Sequence, residues 1–117
     1  MPTLSDLQSQ LLAFREERNW AQFHNPKDLA ISVILESTEL LEHFQWKNGT
    51  ELEEYLATHK AEVAEELADI LNWLLLLSHD LNIDLVEASQ TKIQINARKY
   101  PVEKSKGNHK KYIEFTS

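Results

Sequence analysis

The chain has 117 residues, 42% of them hydrophobic, no cysteine and a formal net charge of −7. That length and apolar content suit one folded domain, and the missing thiols exclude disulfides, a cysteine nucleophile and cysteine-ligated zinc. The acidic balance opposes non-specific nucleic-acid binding, because a polyanionic backbone would be repelled.

Two glycines and three prolines are too little turn chemistry for a β-rich fold, so the chain is expected to be all-α. Thr3-Leu4-Ser5-Asp6 opens a first helix, with Ser5 or Thr3 as N-cap and Leu4, Leu7, Leu11 and Phe14 at helical spacing to about Arg18. Asn19 to Asn25 reads as an aromatic loop closed by Pro26, after which a second helix starts at Lys27 or Asp28 and runs to about Phe44. A turn at Gln45 to Thr50 and a short acidic helix from Glu51 to His59 follow. A long helix then spans about Lys60 to Leu81. Asp84 caps a last helix from Leu85 to about Lys99, which stops before Pro101. Residues 1–101 are thus expected to form one helical domain, and the basic tail 102–117 to be flexible without ligand.

Nothing at the N-terminus has the basic-then-apolar pattern of a signal segment, and the run Ile70 to Leu77, interrupted by Asn72, is too short to span a bilayer. A soluble, cytoplasmic protein is expected. Leu71 and Leu74 to Leu77 are apolar around most of the helical wheel, more than one small bundle can cover. A dimer or dimer of dimers with this helix in its interface is the expectation.

Glu36 and Glu39 form one i/i+3 pair, Glu66 and Asp69 another, each inside a strongly apolar stretch. With Glu36 at 0°, Leu29, Val33, Leu40 and Phe44 fall at roughly 20–80° on a 100° wheel. With Glu66 at 0°, Val63, Leu67, Ile70, Leu74 and Leu77 fall at roughly 20–100°. Both first acids therefore border an apolar arc. If the stripes pack together, four negative charges meet at a poorly solvated seam, which raises their pKa values or calls for a hard cation. An oxygen-only ligand set favours Mg²⁺ or Mn²⁺ over zinc. Solvated surface acids are the plainer reading for one such pair, but two pairs at the same wheel angle weaken it. Glu65 lies near 260°, away from the stripe, and reads as ordinary surface acid.

Residues 18–26 (RNWAQFHNP), 36–46 (ESTELLEHFQW), 65–71 (EELADIL) and 92–101 (KIQINARKYP) together resemble the all-α NTP pyrophosphatase superfamily, the MazG-like nucleotide pyrophosphohydrolases. The aromatic loop and the FQW sequence are most similar to the dCTP pyrophosphatase branch. This resemblance implies a four-helix-bundle-like subunit that hydrolyses deoxynucleoside triphosphates, dCTP and 5-substituted dCTP foremost, between the α- and β-phosphates. It further implies that Glu36, Glu39, Glu66 and Asp69 hold Mg²⁺, with Glu36 or Glu39 as the catalytic base, and that Trp20, Phe23, His24, Trp46 and Trp73 surround the base. Lys92 and Asn96 would face the phosphates. Leu11 stands where close relatives carry a polar ligand-contacting residue. The competing expectations are a dUTP or broad-specificity NTP diphosphatase and, outside enzymes, a helical oligomerisation or interaction module. A di-iron bundle lacks its Glu-x-x-His ligands at both motifs.

Overall fold

The computed structural model describes residues 1–114 and is all helical, with no strand among them. The helices are α1 (Leu4–Glu17), α2 (Pro26–Glu42), α3 (Gly49–Thr58), α4 (Lys60–Asp80), α5 (Leu85–Lys99) and the short α6 (Val102–Ser105). Single 3₁₀ turns occupy Ala21–Phe23 and Tyr112–Glu114. No helix among the described residues is long and apolar enough to cross a membrane.

Local chemistry sets the ends. Thr3 caps α1 through a capping box with Asp6, each side chain bonded to the other's backbone N–H. Asn25 caps α2 by accepting from the Asp28 N–H, which starts that helix at Pro26, slightly before the position read from sequence. Asp84 caps α5 as expected. Helices α1 and α4 end alike. Asn19 and Asn82 adopt left-handed φ of 55° and 56°. Around them Trp20 N–H donates to Arg15 O and Ile83 N–H to Ser78 O, the closing bonds of a Schellman motif. Trp46 also has a left-handed φ, 69°, unusual for so bulky a residue.

The chain divides into two compact units, Met1–Ile83 and Asp84–Ser117; the last three residues of the tail assigned from sequence, 115–117, lie outside the described residues. In the first unit α4 is the central element, packed most extensively on α2, then on α1, and touching α3. Leu29 of α2 and Leu75 of α4 are 1% and 2% exposed, with Leu76 also buried. Gln8 donates from α1 to the Leu75 carbonyl at 2.8 Å and to Ser78 Oγ at 3.4 Å. In the second unit Tyr112 packs edge-on against Tyr100 and lies under the Lys99 ammonium.

Much of the apolar run on α4 is covered within the chain. Leu71, Leu74 and Leu77 are half-buried and Leu75 and Leu76 buried within one chain, because α1 and α2 each cover a side of α4. Leu67, assigned to the core stripe by its wheel angle, is exposed. The uncovered apolar face lies on α2 instead: Ile31, Ile34, Leu35 and Leu41 are all exposed, Ile34 at 63%. They occupy roughly 140–260° of the α2 wheel, opposite Leu29 and Val33.

Arg15 and Asp80 lock the ends of α1 and α4 together. Arg15 is 8% exposed and makes a bidentate pair with Asp80, both bonds 2.8 Å. The Arg15 hydrogen bonds hold the Asp80 carboxyl below its ordinary range despite partial burial. A depressed carboxyl stabilises the fold above its unfolded pKa, and that stabilisation is lost as pH falls through the folded value. Asp80→Asn leaves a buried guanidinium without its counter-charge and should cost about 3 kcal/mol. Urea unfolding at neutral pH reads this, and the gap between native and variant should close below about pH 4.

Candidate functional site

The acid pairs come together where α2 faces α4. Glu36, Glu39 and Glu66 each offer a carboxylate oxygen, and these lie within 4.8 Å of one another. Glu36 and Glu66 are half-buried, and Oε2 of each is buried with no hydrogen-bond partner. Such oxygens are costly in a folded chain unless something else satisfies them. Burial is the largest cause of a raised Glu36 carboxyl pKa, followed by the Glu39 carboxyl and the charges of Glu39, Asp69 and Glu66. The Glu66 carboxyl is raised for the same reasons, burial first, then the Glu39 carboxyl and the Glu39 and Asp69 charges, with the neighbouring Glu36 carboxyl opposing. Asp69 stands outside the tight trio, exposed, yet its charge reaches both. Hard oxygen donors, unpartnered and crowded, fit a divalent cation.

Beside this cluster a cleft of about 410 Å³ opens in the first unit. Glu36 and Asp69 line it together with Trp20, His24 and Trp73, so five of the residues singled out from sequence meet there. Leu11, Phe14, Arg15, Asn72 and Leu76 complete the lining. The i/i+3/i+4 spacing of Asp69, Asn72 and Trp73 puts them on one face of α4. Trp20 is held edge-on to Phe14 with centroids 5.7 Å apart, and the Arg18 guanidinium lies 3.6 Å over the other ring. His24 packs edge-on to Trp73 at 5.5 Å, its Nδ1 buried and unpartnered. Burial, then the Arg15 charge, lower the His24 pKa. The imidazole is therefore neutral at physiological pH, with one nitrogen able to donate and the other to accept.

Phe23 and Trp46 do not line the cleft; both are exposed, Trp46 at 86%. Trp46 sits in the turn between α2 and α3, which is braced by a 2.7 Å hydrogen bond between His43 Nδ1 and Tyr55 Oη and by His59 stacked 3.9 Å from the Tyr55 ring. Lys92 and Asn96 are exposed on α5 in the second unit. Sequence reasoning missed Arg15 and Asn72 as cleft residues. Nothing local marks Arg15 apart from the surface charges of α1, whereas the break in the apolar run at Asn72 was a visible signal.

The MazG-like family is matched over residues 31–115. The chain belongs to the MazG-like family. Mouse dCTP pyrophosphatase 1 is 37% identical over 115 residues, covering 97% of this chain and 68% of the mouse protein, and the human protein of the same name is 36% identical over the same span. The crystal structure of a pyrophosphatase from Archaeoglobus fulgidus DSM 4304 superimposes with a TM-score of 0.80 at 42% identity, covering 86% of this chain and 94% of that one.

A carboxyl whose folded pKa is raised contributes stability below its unfolded value, and this is lost as pH rises through the folded value. In metal-free buffer, Glu36→Gln and Glu66→Gln should therefore raise the melting temperature at about pH 8, with the gain shrinking toward pH 4.5. Divalent cations should raise the melting temperature of the native protein more than that of either variant. Thermal melts with and without Mg²⁺ check both expectations.

Proposed function

We propose that this chain is a Mg²⁺-dependent nucleoside triphosphate pyrophosphohydrolase that converts dNTPs, dCTP and 5-substituted dCTP foremost, to the monophosphate and pyrophosphate and so cleans the nucleotide pool. The observation that carries this reading is the pair of buried, unpartnered oxygens of Glu36 and Glu66 beside an aromatic cleft. The names of the mouse and human relatives support the choice of base.

Glu36, Glu39, Glu66 and Asp69 are the residues that would hold Mg²⁺ or Mn²⁺. When bound, the ion supplies neutralisation of triphosphate charge and a lower pKa for an attacking water. Glu36 or Glu39 accepts the proton of that water as its oxygen bonds to the α-phosphorus, and the bond from the α-phosphorus to the bridging oxygen breaks to release pyrophosphate. Trp20 and Trp73, which line the cleft, stack on the base, an interaction of about 1–3 kcal/mol per base in nucleic-acid complexes. His24 supplies a hydrogen bond to the base edge. Phe23 and Trp46 act from outside the cleft lining as further aromatic surface. Lys92 and Asn96 bind phosphate oxygens. Leu11 lines the cleft without a polar group, which favours a modest preference for dCTP and measurable hydrolysis of another dNTP.

The exposed α2 stripe Ile31, Ile34, Leu35 and Leu41 supports assembly as a dimer or dimer of dimers, since an apolar face of that length would otherwise promote aggregation.

The test is a pyrophosphate-release panel over natural NTPs, dNTPs and 5-substituted dCTP with Mg²⁺. The expected result is hydrolysis led by dCTP, with Glu66→Gln and Asp69→Asn losing more than about a hundredfold, beyond the ~10–100-fold cost of an outer-shell partner. Glu65→Gln should match the native protein, and His24→Ala should narrow the gap between dCTP and the rest. Near-native turnover in Asp69→Asn, or dUTP as best substrate with ranking unchanged in His24→Ala, contradicts the corresponding assignment. Light scattering should give a multiple of the 13.6 kDa chain mass, and Ile34→Glu should shift it toward the monomer.

A further inference from the structure

The cleft holds one polar side chain that neither the acid cluster nor the packing of the fold employs. Asn72 interrupts the run Ile70 to Leu77 on α4, whose other members are all apolar. It is half-buried and lines the cleft, and its amide makes no hydrogen bond to any described residue. Such a placement lowers stability. Asn is a poorer helix former than the leucines around it, because its side chain competes for backbone bonds. No hydrogen bond to a described residue offsets this. Its amide atoms are not among the buried, unpartnered ones, so they face the open cleft with their hydrogen-bonding capacity unused by the fold. Asn72 follows Asp69 by three residues and precedes Leu76 by four, and both line the same cleft. The amide therefore lies between the acidic end of the cleft and its apolar wall.

The other polar groups of the cleft already have partners or tasks. Both terminal nitrogens of Arg15 are held by Asp80, and Glu36 and Asp69 belong to the acid cluster. His24, whose Nδ1 is buried and unpartnered, already has the base edge as its task. A carboxamide presents an acceptor oxygen beside donor hydrogens, matching the adjacent acceptor and amine donor on the cytosine edge. Turned end for end, it matches the reverse polarity of uracil or thymine.

We propose that Asn72 is a specificity-determining residue whose side-chain amide reads the hydrogen-bonding edge of the base. It rewards any base with an adjacent donor and acceptor, whereas choosing between polarities falls to His24. This inference rests on the pyrophosphohydrolase reading of the same site.

The experiment measures kcat/KM for dCTP and for a triphosphate carrying difluorotoluene, a pyrimidine-shaped ring with little hydrogen-bonding capacity, in native protein, Asn72→Leu, Asn72→Ala and Asn72→Gln. Native protein should favour dCTP by about tenfold to a hundredfold, the usual cost of leaving one neutral hydrogen-bonding group without its partner. In Asn72→Leu and Asn72→Ala that ratio should fall about tenfold or more, through loss on dCTP, while the melting temperature of Asn72→Leu stays level or rises. Asn72→Gln, which keeps the amide, should recover part of the ratio. An unchanged ratio in the Leu and Ala variants overturns the proposal, as does an equal loss on both substrates with a lowered melting temperature. Native protein that releases no pyrophosphate from any triphosphate overturns the pyrophosphohydrolase reading, whereas release with an unaltered ratio removes only the role of Asn72.

Discussion

Crowded carboxylates at the edge of an apolar seam repel one another more strongly than they would in water, because the surrounding medium screens them poorly. Glu36, Glu39 and Glu66 bring oxygens within 4.8 Å of one another, and two of those side chains have a buried oxygen with no partner. Leucine, which fills much of α4, would be more stable at those two half-buried positions. An external positive charge would complete the arrangement as it stands. The rest of the first unit supports this one crowded seam. Helix α2 is anchored on α4 through Leu29, Leu75 and Leu76, and α1 is tied to α4 by Arg15, Asp80 and Gln8.

The same ties shape the cleft. The Schellman end of α1 delivers Trp20, and the short 3₁₀ turn after it carries the chain to His24, which rests on Trp73 of α4. Aromatic faces thus stand next to the acid cluster, where a nucleotide needs one end flat and apolar and the other end strongly cationic once metal is bound. Burial and the nearby Arg15 keep His24 neutral, so a polar edge is available without adding charge to a site already dominated by it.

Much of this was legible in the sequence because helix periodicity is a strong local signal. The two i/i+3 acid pairs announced a shared seam, and Asp84 and Asn25–Pro26 marked helix starts. What failed to show was tertiary coverage. The wheel of α4 was apolar on several sides, which suggested a subunit contact; α1 and α2 cover much of it within one chain, and a second apolar stripe, not read from the sequence, is exposed on α2. Leu67 carried the right wheel angle and still ended up exposed, since a wheel records direction and not whether a neighbour reaches that turn. Arg15 was invisible for a related reason: its partner Asp80 is distant in sequence, and nothing local distinguishes a buried arginine from a solvated one.

The central claim is that the acid cluster is completed by a divalent cation. The direct test is Mg²⁺ titration calorimetry of the native protein in buffers of different ionisation enthalpy, from about pH 5 to pH 8, where ligation by carboxyls of raised pKa must release protons. The account predicts saturable binding with proton release that is largest at the acid end and fades as pH rises, and much weaker binding in Glu36→Gln and Glu66→Gln. Equal binding by native protein and both variants, or no binding at any pH, would contradict it.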